Sequence, residues 1–124
     1  MGLFGKKRIF IIDDNEKFLS SAAIILRQWK YDVITAETGD YVLSTAKDKK
    51  PHLIILDIKL PGLDGFEVCS LLKKDPDTKD IPVILLTDLS KVGEINKGFS
   101  QGADEYITKP LDWNRLRQKI EKLI

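Results

Sequence analysis

The stretch His52–Gly65, HLIILDIKLPGLDG, decides the fold of this chain. An apolar run of strand length leads directly into Asp57, and a loop containing Pro61 and Gly62 follows at once. A buried strand that ends on a carboxylate either uses it to cap a turn or presents it for chemistry. The rest of the chain decides between these two interpretations.

Apolar runs of strand length alternate with helical spacing along the whole chain. The predicted strands are RIFIID, DVITA, HLIILD, IPVILLT and DEYIT, and the predicted helices lie in EKFLSSAAIILRQW, TGDYVLSTAKDKK, LDGFEVCSLLKKD, KVGEINKGFSQG and DWNRLRQKIEKLI. The first, third and fourth strands are almost continuously apolar, as expected when helices cover both faces of a parallel sheet. Five strand–helix units therefore predict a doubly wound α/β fold with right-handed crossovers.

Capping residues and apolar stripes set the expected limits of the helices. Thr38, Asp64 and Asp112 are the predicted N-caps of the second, third and fifth helices. The predicted apolar stripes are Phe18, Ala22, Ile25 and Trp29 in the first helix, Phe66, Cys69 and Leu72 in the third, Val92, Ile95 and Phe99 in the fourth, and Trp113, Leu116, Ile120 and Leu123 in the fifth.

Composition narrows the class of protein. The chain has 124 residues, 43% hydrophobic and 31% charged, which suits one globular domain. A formal net charge of +1 argues against a nucleic-acid or membrane surface, and no apolar run approaches the roughly 20 residues of a membrane helix. The single Cys69 cannot form an internal disulfide and is expected in the core of a cytoplasmic protein. We expect a short leader at residues 1–6, without a signal peptide, and one domain over residues 7–124.

Polar residues end four of the five predicted strands, at Asp13–Asp14, Asp57, Thr87–Asp88 and Thr108–Lys109–Pro110. In a parallel sheet these strand ends converge on one edge, where ligands bind. Like charges roughly 4 Å apart repel by about 4 kcal/mol at an effective dielectric constant of about 20. Either one carboxyl group is therefore protonated or a cation neutralises the carboxylates, and hard oxygen ligands suit Mg²⁺.

This set of side chains fits one chemistry. A carboxylate oxygen of Asp57 could attack a phosphoryl group and form an acyl phosphate. Mg²⁺ and Lys109 would neutralise the transferring oxygens, and the hydroxyl of Thr87 would donate a hydrogen bond to one of them.

The motifs IIDD, LIILDIKLPGLDG, VILLT and GADEYITKP, in this order and at strand ends, resemble the receiver domain of two-component response regulators. The resemblance covers nearly the whole chain, from about Lys7 to Ile124. Among members of the family, the chain resembles stand-alone regulators of the chemotaxis and motility type. The resemblance implies the flavodoxin-like (βα)5 fold with strand order 2-1-3-4-5.

The resemblance also implies roles for individual residues. Asp57 would be the phosphoacceptor, with Thr87 and Lys109 holding the phosphoryl group. Asp14, Asp57 and the backbone carbonyl of Lys59 would bind Mg²⁺ directly, and Asp13 through a water molecule. The peptide bond between Lys109 and Pro110 matches a cis bond, which sequence alone rarely predicts.

Tyr106 matches the aromatic switch position of the family, although an aromatic residue in a strand is more often part of the packing. In the switch interpretation Thr87 moves toward the phosphoryl group and the ring of Tyr106 fills the space. The fourth helix, with Gly93 and Gly98, is the expected moving part, and the alternative is that these glycines only loosen or shorten the helix. The face from helix 4 through strand 5 to helix 5 would then bind a downstream protein or a second copy of the chain.

The implied function is a signalling phosphoacceptor rather than an enzyme acting on a separate substrate. Its phosphoryl group would come from a histidine kinase or a phosphotransfer protein, and no nucleic acid or membrane partner is expected of this domain.

Two positions depart from the family pattern or vary within it. Asp88 stands after Thr87, where a small residue is usual, and would narrow the approach of a phosphodonor or else cap the fourth helix. Lys59, two residues after Asp57, overlooks the path of hydrolytic water and would pair with the phosphoryl group or with an acidic neighbour.

Three other functions fit parts of the pattern. A receiver-like module that works by protein contact without phosphorylation is favoured slightly by Asp88 and opposed by Asp57 and Lys109. A haloacid-dehalogenase-type phosphatase needs a second Asp where Lys59 stands. A nucleotide-binding domain needs a glycine-rich loop after strand 1, where the sequence is instead DDNEKF.

Overall fold

The computed structural model describes residues 5–88, 96–97 and 99–124. Within these ranges the chain forms five strands and four helices. The strands are β1 (Arg8–Ile12), β2 (Asp32–Ala36), β3 (Leu53–Asp57), β4 (Val83–Thr87) and β5 (Glu105–Thr108). The helices are α1 (Glu16–Gln28), α2 (Val42–Lys49), α3 (Gly65–Lys74) and α4 (Trp113–Leu123). No helix in these ranges is long and apolar enough to span a bilayer.

The fifth predicted helix is α4, because most of the fourth predicted helix lies outside the described residues. Asn96, Lys97, Phe99 and Ser100 have helical backbone. The predictions made for Val92, Gly93, Ile95 and Gly98 all fall on positions outside the described ranges.

The strands pair in the order β2-β1-β3-β4-β5, and every pairing between neighbours is parallel. This confirms the predicted fold class and strand order. Asp57 is in register with Leu86, and Thr87 with Thr108. The carboxyl ends of β1, β3, β4 and β5 consequently meet at one edge of the sheet.

Alternate residues of the strands point to opposite faces of the sheet and contribute to two apolar layers, one on each face. The layer under α2 and α3 contains Phe10, Ile12, Val42, Ala46, Ile54, Leu56, Val68, Cys69 and Leu72. The layer under α1 and α4 contains Ile9, Ile11, Leu19, Ala22, Leu26, Ile55, Ile84, Leu116 and Ile120. Helices on both faces therefore bury the almost continuously apolar strands, as predicted.

The buried stripe of α1 differs from the predicted one. Its buried positions are Leu19, Ala22, Ala23 and Leu26. Phe18 and Trp29 are only partly buried, and Ile24 is 57% exposed. The segment AAIIL is apolar on every side of the helix, so spacing alone does not select the side that faces the sheet.

Two predicted N-caps are confirmed. The side chain of Asp64 accepts a hydrogen bond from the backbone N–H of Glu67 at 2.9 Å, at the start of α3. The side chain of Asp112 accepts one from Arg115 at 3.2 Å, at the start of α4.

The predicted cap at Thr38 is wrong. Helix α2 begins at Val42, after Tyr41, which has left-handed backbone (φ 65°) and makes no side-chain capping bond. Gly39 explains the delay, because a Cβ there would lie 2.4 Å from the backbone oxygen of Leu63. The chain must first pass this close contact between two loops before it can start the helix.

Cys69 is fully buried in α3, as predicted, and its Sγ lies 3.6 Å from the backbone oxygen of Gln101. Burial raises the pKa of the thiol to about 11. Because the thiolate is the reactive form, we expect the native protein to react with a disulfide reagent at pH 8 about 100-fold more slowly than the unfolded chain. The measurement is release of thionitrobenzoate with and without guanidinium. Equal rates in the two states would contradict a buried thiol.

Candidate functional site

Three carboxylates meet at the carboxyl edge of the sheet. Asp13 follows β1, Asp57 ends β3, and one oxygen from each of Asp13, Asp14 and Asp57 lies within 4.8 Å of the others. Asp13 is fully buried and Asp57 is 6% exposed, whereas Asp14 faces solvent. The structure therefore brings together the carboxylates that the strand-end pattern predicts, two of them in the interior.

The start of α1 fixes the side chain of Asp13. Its Oδ1 accepts a hydrogen bond from the backbone N–H of Asn15 at 2.9 Å, and its own N–H donates to the backbone oxygen of Ala36 at 3.1 Å. Asn15 is the N-cap of α1, with its side chain accepting from Phe18 N–H at 3.1 Å. Asn15 thus holds Asp13 and begins the helix at the same time, a role that the sequence analysis missed.

Gly65 fixes the loop that follows Asp57. Its N–H donates to the backbone oxygen of Ile58 at 2.7 Å, and a Cβ at Gly65 would lie 2.3 Å from the backbone oxygen of Asp57. The start of α3 therefore packs directly against the end of β3. On the other side, the backbone N–H of Lys59 donates to Oδ1 of Asp57 at 3.2 Å.

Lys109 supplies a positive charge to the buried carboxylates. Its Nζ lies 2.7 Å from Oδ2 of Asp13 and 3.4 Å from Oδ2 of Asp57. Its backbone N–H donates to the backbone oxygen of Thr87 at 2.7 Å, and its peptide bond to Pro110 is cis. The ammonium also lies 4.7 Å from the ring centroid of Phe18, a cation–π contact that sequence spacing does not indicate.

The electrostatics of the site favour a cation. Burial, and then the charge of Asp13, raise the pKa of Asp57 to about 6 against the opposing attraction of Lys109. Burial lowers the pKa of Lys109, but the hydrogen bond to Asp13 and the charges of both carboxylates raise it further, above its usual value. Lys109 therefore stays protonated, yet it does not fully compensate the charge of Asp57.

Thr87 lies on β4, the strand beside that of Asp57, and Tyr106 lies on β5, the next strand outward. Thr87 ends β4 and is 3% exposed. Tyr106, on β5, packs against the layer under α2 and α3, and its ring meets that of Phe99 edge-to-face at 5.7 Å between centroids. Phe99 is 44% exposed, so the ring of Tyr106 contacts a side chain that is itself partly open to solvent.

Lys59 and Asp88 form an ion pair across the ends of β3 and β4. The Nζ of Lys59 lies 3.2 Å from both carboxylate oxygens of Asp88. Both side chains are exposed, at 61% and 54%. The sequence predicts that Lys59 pairs either with the phosphoryl group or with an acidic neighbour. In the structure its partner is an acidic neighbour, Asp88, which is the residue that departs from the expected small side chain.

The residues present fit a divalent cation. Three carboxylates that share one small region are hard oxygen donors, and in the described part of the chain they outnumber the one ammonium group, that of Lys109, that contacts Asp13 and Asp57. Oxygen-rich sites with room for water are the kind that Mg²⁺ prefers.

Comparison with known proteins places the chain in a family. A family model described as the response regulator receiver domain matches residues 9–121. The DNA-binding dual master transcriptional regulator RpaA of Synechocystis is 40% identical over 94% of this chain and 48% of its own length. Protein PilH of Pseudomonas aeruginosa is 34% identical over 94% of this chain and 97% of its own length.

A solved structure has the same architecture. A putative response regulator from Chloroflexus aurantiacus superposes with a TM-score of 0.91 at 28% identity, over 96% of this chain and 98% of that one. The chain spans about half the length, or less, of several curated relatives that it matches, including RpaA.

Proposed function

The chain belongs to the response regulator receiver domain family, and on this basis we propose that it accepts a phosphoryl group onto Asp57 in a Mg²⁺-dependent step. The observation that carries the proposal is the placement of Lys109, whose ammonium lies within 3.4 Å of both buried carboxylates, Asp13 and Asp57. This arrangement brings a nucleophile, a fixed cation and an acidic pocket to one strand edge.

The proposed reaction joins an oxygen of Asp57 to phosphorus. A carboxylate oxygen of Asp57 attacks the phosphoryl group, the bond from phosphorus to the donor atom breaks, and the leaving group departs with the electron pair. Lys109 neutralises the phosphoryl oxygens, and the hydroxyl of Thr87 donates a hydrogen bond to one of them. No other side chain needs to take up a proton, because the attacking group is already a carboxylate.

The metal would be held by the acidic pocket. In this proposal Asp14, Asp57 and the backbone carbonyl of Lys59 bind Mg²⁺, and Asp13 acts through water. Bound there, Mg²⁺ would supply positive charge to the oxygens of the transferring group.

The wider role follows from the same proposal. The donor is a histidine kinase or a phosphotransfer protein, and the chain assists only its own phosphorylation and dephosphorylation. Phosphorylation moves Thr87 and the ring of Tyr106, and changes the face formed by the fourth predicted helix, β5 and α4 for a protein target or a second copy. We place this activity in the cytoplasm and in a domain of residues 7–124, after a leader of residues 1–6.

The experiment that tests the function is intact-mass spectrometry. The protein is incubated with acetyl phosphate and Mg²⁺, and we expect it to gain the mass of one HPO₃ group, located by peptide mapping at Asp57. Replacing Mg²⁺ by a chelator should abolish the gain. An unchanged mass with acetyl phosphate, and also with a phosphorylated phosphotransfer protein, would contradict the proposal and favour a module that acts by protein contact alone.

Asp88 is expected to slow uptake from small anionic donors. Its charge lies beside the site, and Lys59 at 3.2 Å compensates only part of it. Removing about 1 kcal/mol of repulsion should make Asp88→Ala accept acetyl phosphate up to about fivefold faster than the parent. Asp80→Ala removes an exposed carboxylate before the start of β4, at the other end of the strand, and should leave the rate unchanged. Equal or faster uptake by the parent would contradict the prediction.

A further inference from the structure

A basic cavity lies at the amino ends of β1 and β3, at the opposite edge of the sheet from the carboxylates. Its volume is about 420 Å³, within the range of small-molecule sites. The described residues that line this cavity are Gly5, Lys6, Lys7, Arg8, Lys49, Lys50 and His52. Strands of five residues lie between the two edges, so roughly 15 Å separate the basic cavity from the carboxylates.

The lining of the basic cavity is cationic. Five of these seven residues are lysine or arginine, and none of the seven carries a carboxylate or an apolar side chain. Lys49 has an acidic neighbour, Asp48 at 3.7 Å, but both side chains are more than half exposed, and such pairs are weak. Most organic ligands need apolar contacts, and a nucleic-acid base needs a surface for stacking. The lining therefore suits a small ligand that consists mainly of negative charge.

Two lining side chains are already held in place by hydrogen bonds. The backbone N–H of Arg8 donates to Nδ1 of His52 at 2.9 Å, and the backbone N–H of His52 donates to the backbone oxygen of Arg8 at 2.8 Å. Because Nδ1 accepts, the proton of the neutral ring is assigned to Nε2, which can donate to an anion. Nη1 of Arg8 donates to the backbone oxygen of Lys49 at 2.7 Å, so a carbonyl at the end of α2 that would repel an anion is compensated.

Lys50 places a cation where the backbone favours glycine. Its φ is 49°, in the left-handed region, at the C-cap of α2. Glycine commonly ends a helix in this conformation, because a Cβ is disfavoured there. Lys30 has the same conformation, with φ 74°, after α1 on the other face of the sheet, but it does not line the basic cavity. The chain thus offers two lysines with similar backbones, one inside the cavity and one outside it.

We propose that the basic cavity binds a compact anion of linked phosphate groups, of the pyrophosphate or polyphosphate class. Lysine ammonium groups bind phosphate as point charges, and a guanidinium adds N–H donors in one plane. Linked phosphates carry several negative charges close together, which matches several cations around one small cavity. A single phosphate or carboxylate group would contact only part of this lining. The inference is independent of the phosphorylation proposed above.

The contacts to this anion come from part of the lining. The ammonium of Lys7 donates to the backbone oxygen of Ile124 near the end of the chain, so it is already engaged. The side chains assigned to the anion are those of Lys6, Arg8, Lys50 and His52.

The test is isothermal titration calorimetry with tripolyphosphate, in a magnesium-free buffer that contains a chelator and about 0.1 M salt. We expect the parent to bind one anion per chain with a Kd below about 1 mM. Lys50→Gly should weaken binding about fivefold, because it removes one ammonium group. His52→Ala should weaken it about threefold, because it removes the Nε2 donor. Absence of binding by the parent with a Kd below about 1 mM would overturn the proposal.

Lys30→Gly is the matched control for Lys50→Gly. Both substitutions remove one positive charge and put glycine at a left-handed position, so in urea titrations neither variant should be less stable than the parent. Lys30→Gly should change the Kd by less than about twofold, because its charge lies outside the basic cavity and is screened by salt. Equal weakening by the two substitutions would show attraction to overall charge and would overturn the site.

Two other anions test the class of ligand. Citrate and a peptide of four glutamates carry several carboxylates, and we expect both to bind more weakly than tripolyphosphate. If either bound as tightly, the basic cavity would recognise charge rather than linked phosphates, and the assignment of the ligand would be wrong. These titrations use no phosphodonor, so their outcome does not depend on whether Asp57 accepts phosphate.

Discussion

Asp57→Asn is expected to abolish the gain of one HPO₃ group and, at the same time, to make the metal-free protein more stable. The first effect follows because the amide oxygen of Asn is a much weaker nucleophile than a carboxylate oxygen. The second follows because the carboxylate is buried beside Asp13, and the single ammonium of Lys109 does not compensate both charges.

The size of the stabilisation comes from the shifted pKa. The folded protein holds the pKa of Asp57 at about 6 rather than 3.8, so at neutral pH its charge opposes folding. Each pKa unit corresponds to about 1.4 kcal/mol, and the amide of Asn recovers part of the polar contacts. We expect the free energy of unfolding to rise by about 1–3 kcal/mol in urea titrations at pH 7.5 with a chelator present.

Mg²⁺ should reverse part of this difference. A ligand that binds only the folded state stabilises it, and the variant has lost one of the three carboxylates of the pocket. Added Mg²⁺ should therefore stabilise the parent more than Asp57→Asn. Asp40→Asn removes an exposed carboxylate on the neighbouring loop and should keep both the phosphorylation and the stability of the parent. A variant that still gains phosphate on the same peptide, or that is less stable than the parent, would contradict this account.

The convergence of strand ends at one edge of a parallel sheet explains how much of the site could be predicted from sequence. Asp13, Asp57 and Lys109 are far apart in the chain, but each follows or ends a predicted strand. Once the sheet is parallel, their positions at one edge follow from chain direction alone. The fold class was also predictable, because the alternation of strand-length apolar runs with helical spacing indicates which segments form the sheet and which cover it. No side-chain contact has to be known for that step.

What could not be predicted depends on side-chain geometry and on contacts between loops. The pairing of Lys59 with Asp88 requires the register of β3 against β4, and the sequence draws attention to each residue only separately. The late start of α2 depends on the contact between Gly39 and Leu63, which are distant in sequence. A favourable capping residue at Thr38 cannot reveal such a contact, because capping preference is local and the constraint is not.

Gly65→Ala is expected to cause the largest loss of stability among the substitutions considered. A methyl group there would lie 2.3 Å from the backbone oxygen of Asp57 and 2.6 Å from the Cα of Ile58. Neither atom belongs to a flexible side chain, so β3 and the start of α3 must move apart. We expect the free energy of unfolding to fall by about 2–4 kcal/mol, measured by urea titration.

The same displacement should impair the site, because it shifts the backbone that carries Asp57. At a temperature where the variant is still folded, we expect it to accept phosphate from acetyl phosphate at least about tenfold more slowly than the parent.

Gly62→Ala is the matched control, since it adds the same methyl group in the loop that leads to α3. Gly62 has a left-handed backbone (φ 75°), and its nearest neighbour would be the side chain of Asp40 at 3.1 Å, which can move aside. The free energy of unfolding of the control should therefore fall by about 1 kcal/mol, the cost of a left-handed backbone at an alanine. If Gly65→Ala lost no more stability than Gly62→Ala, the start of α3 would not be what holds Asp57 in place.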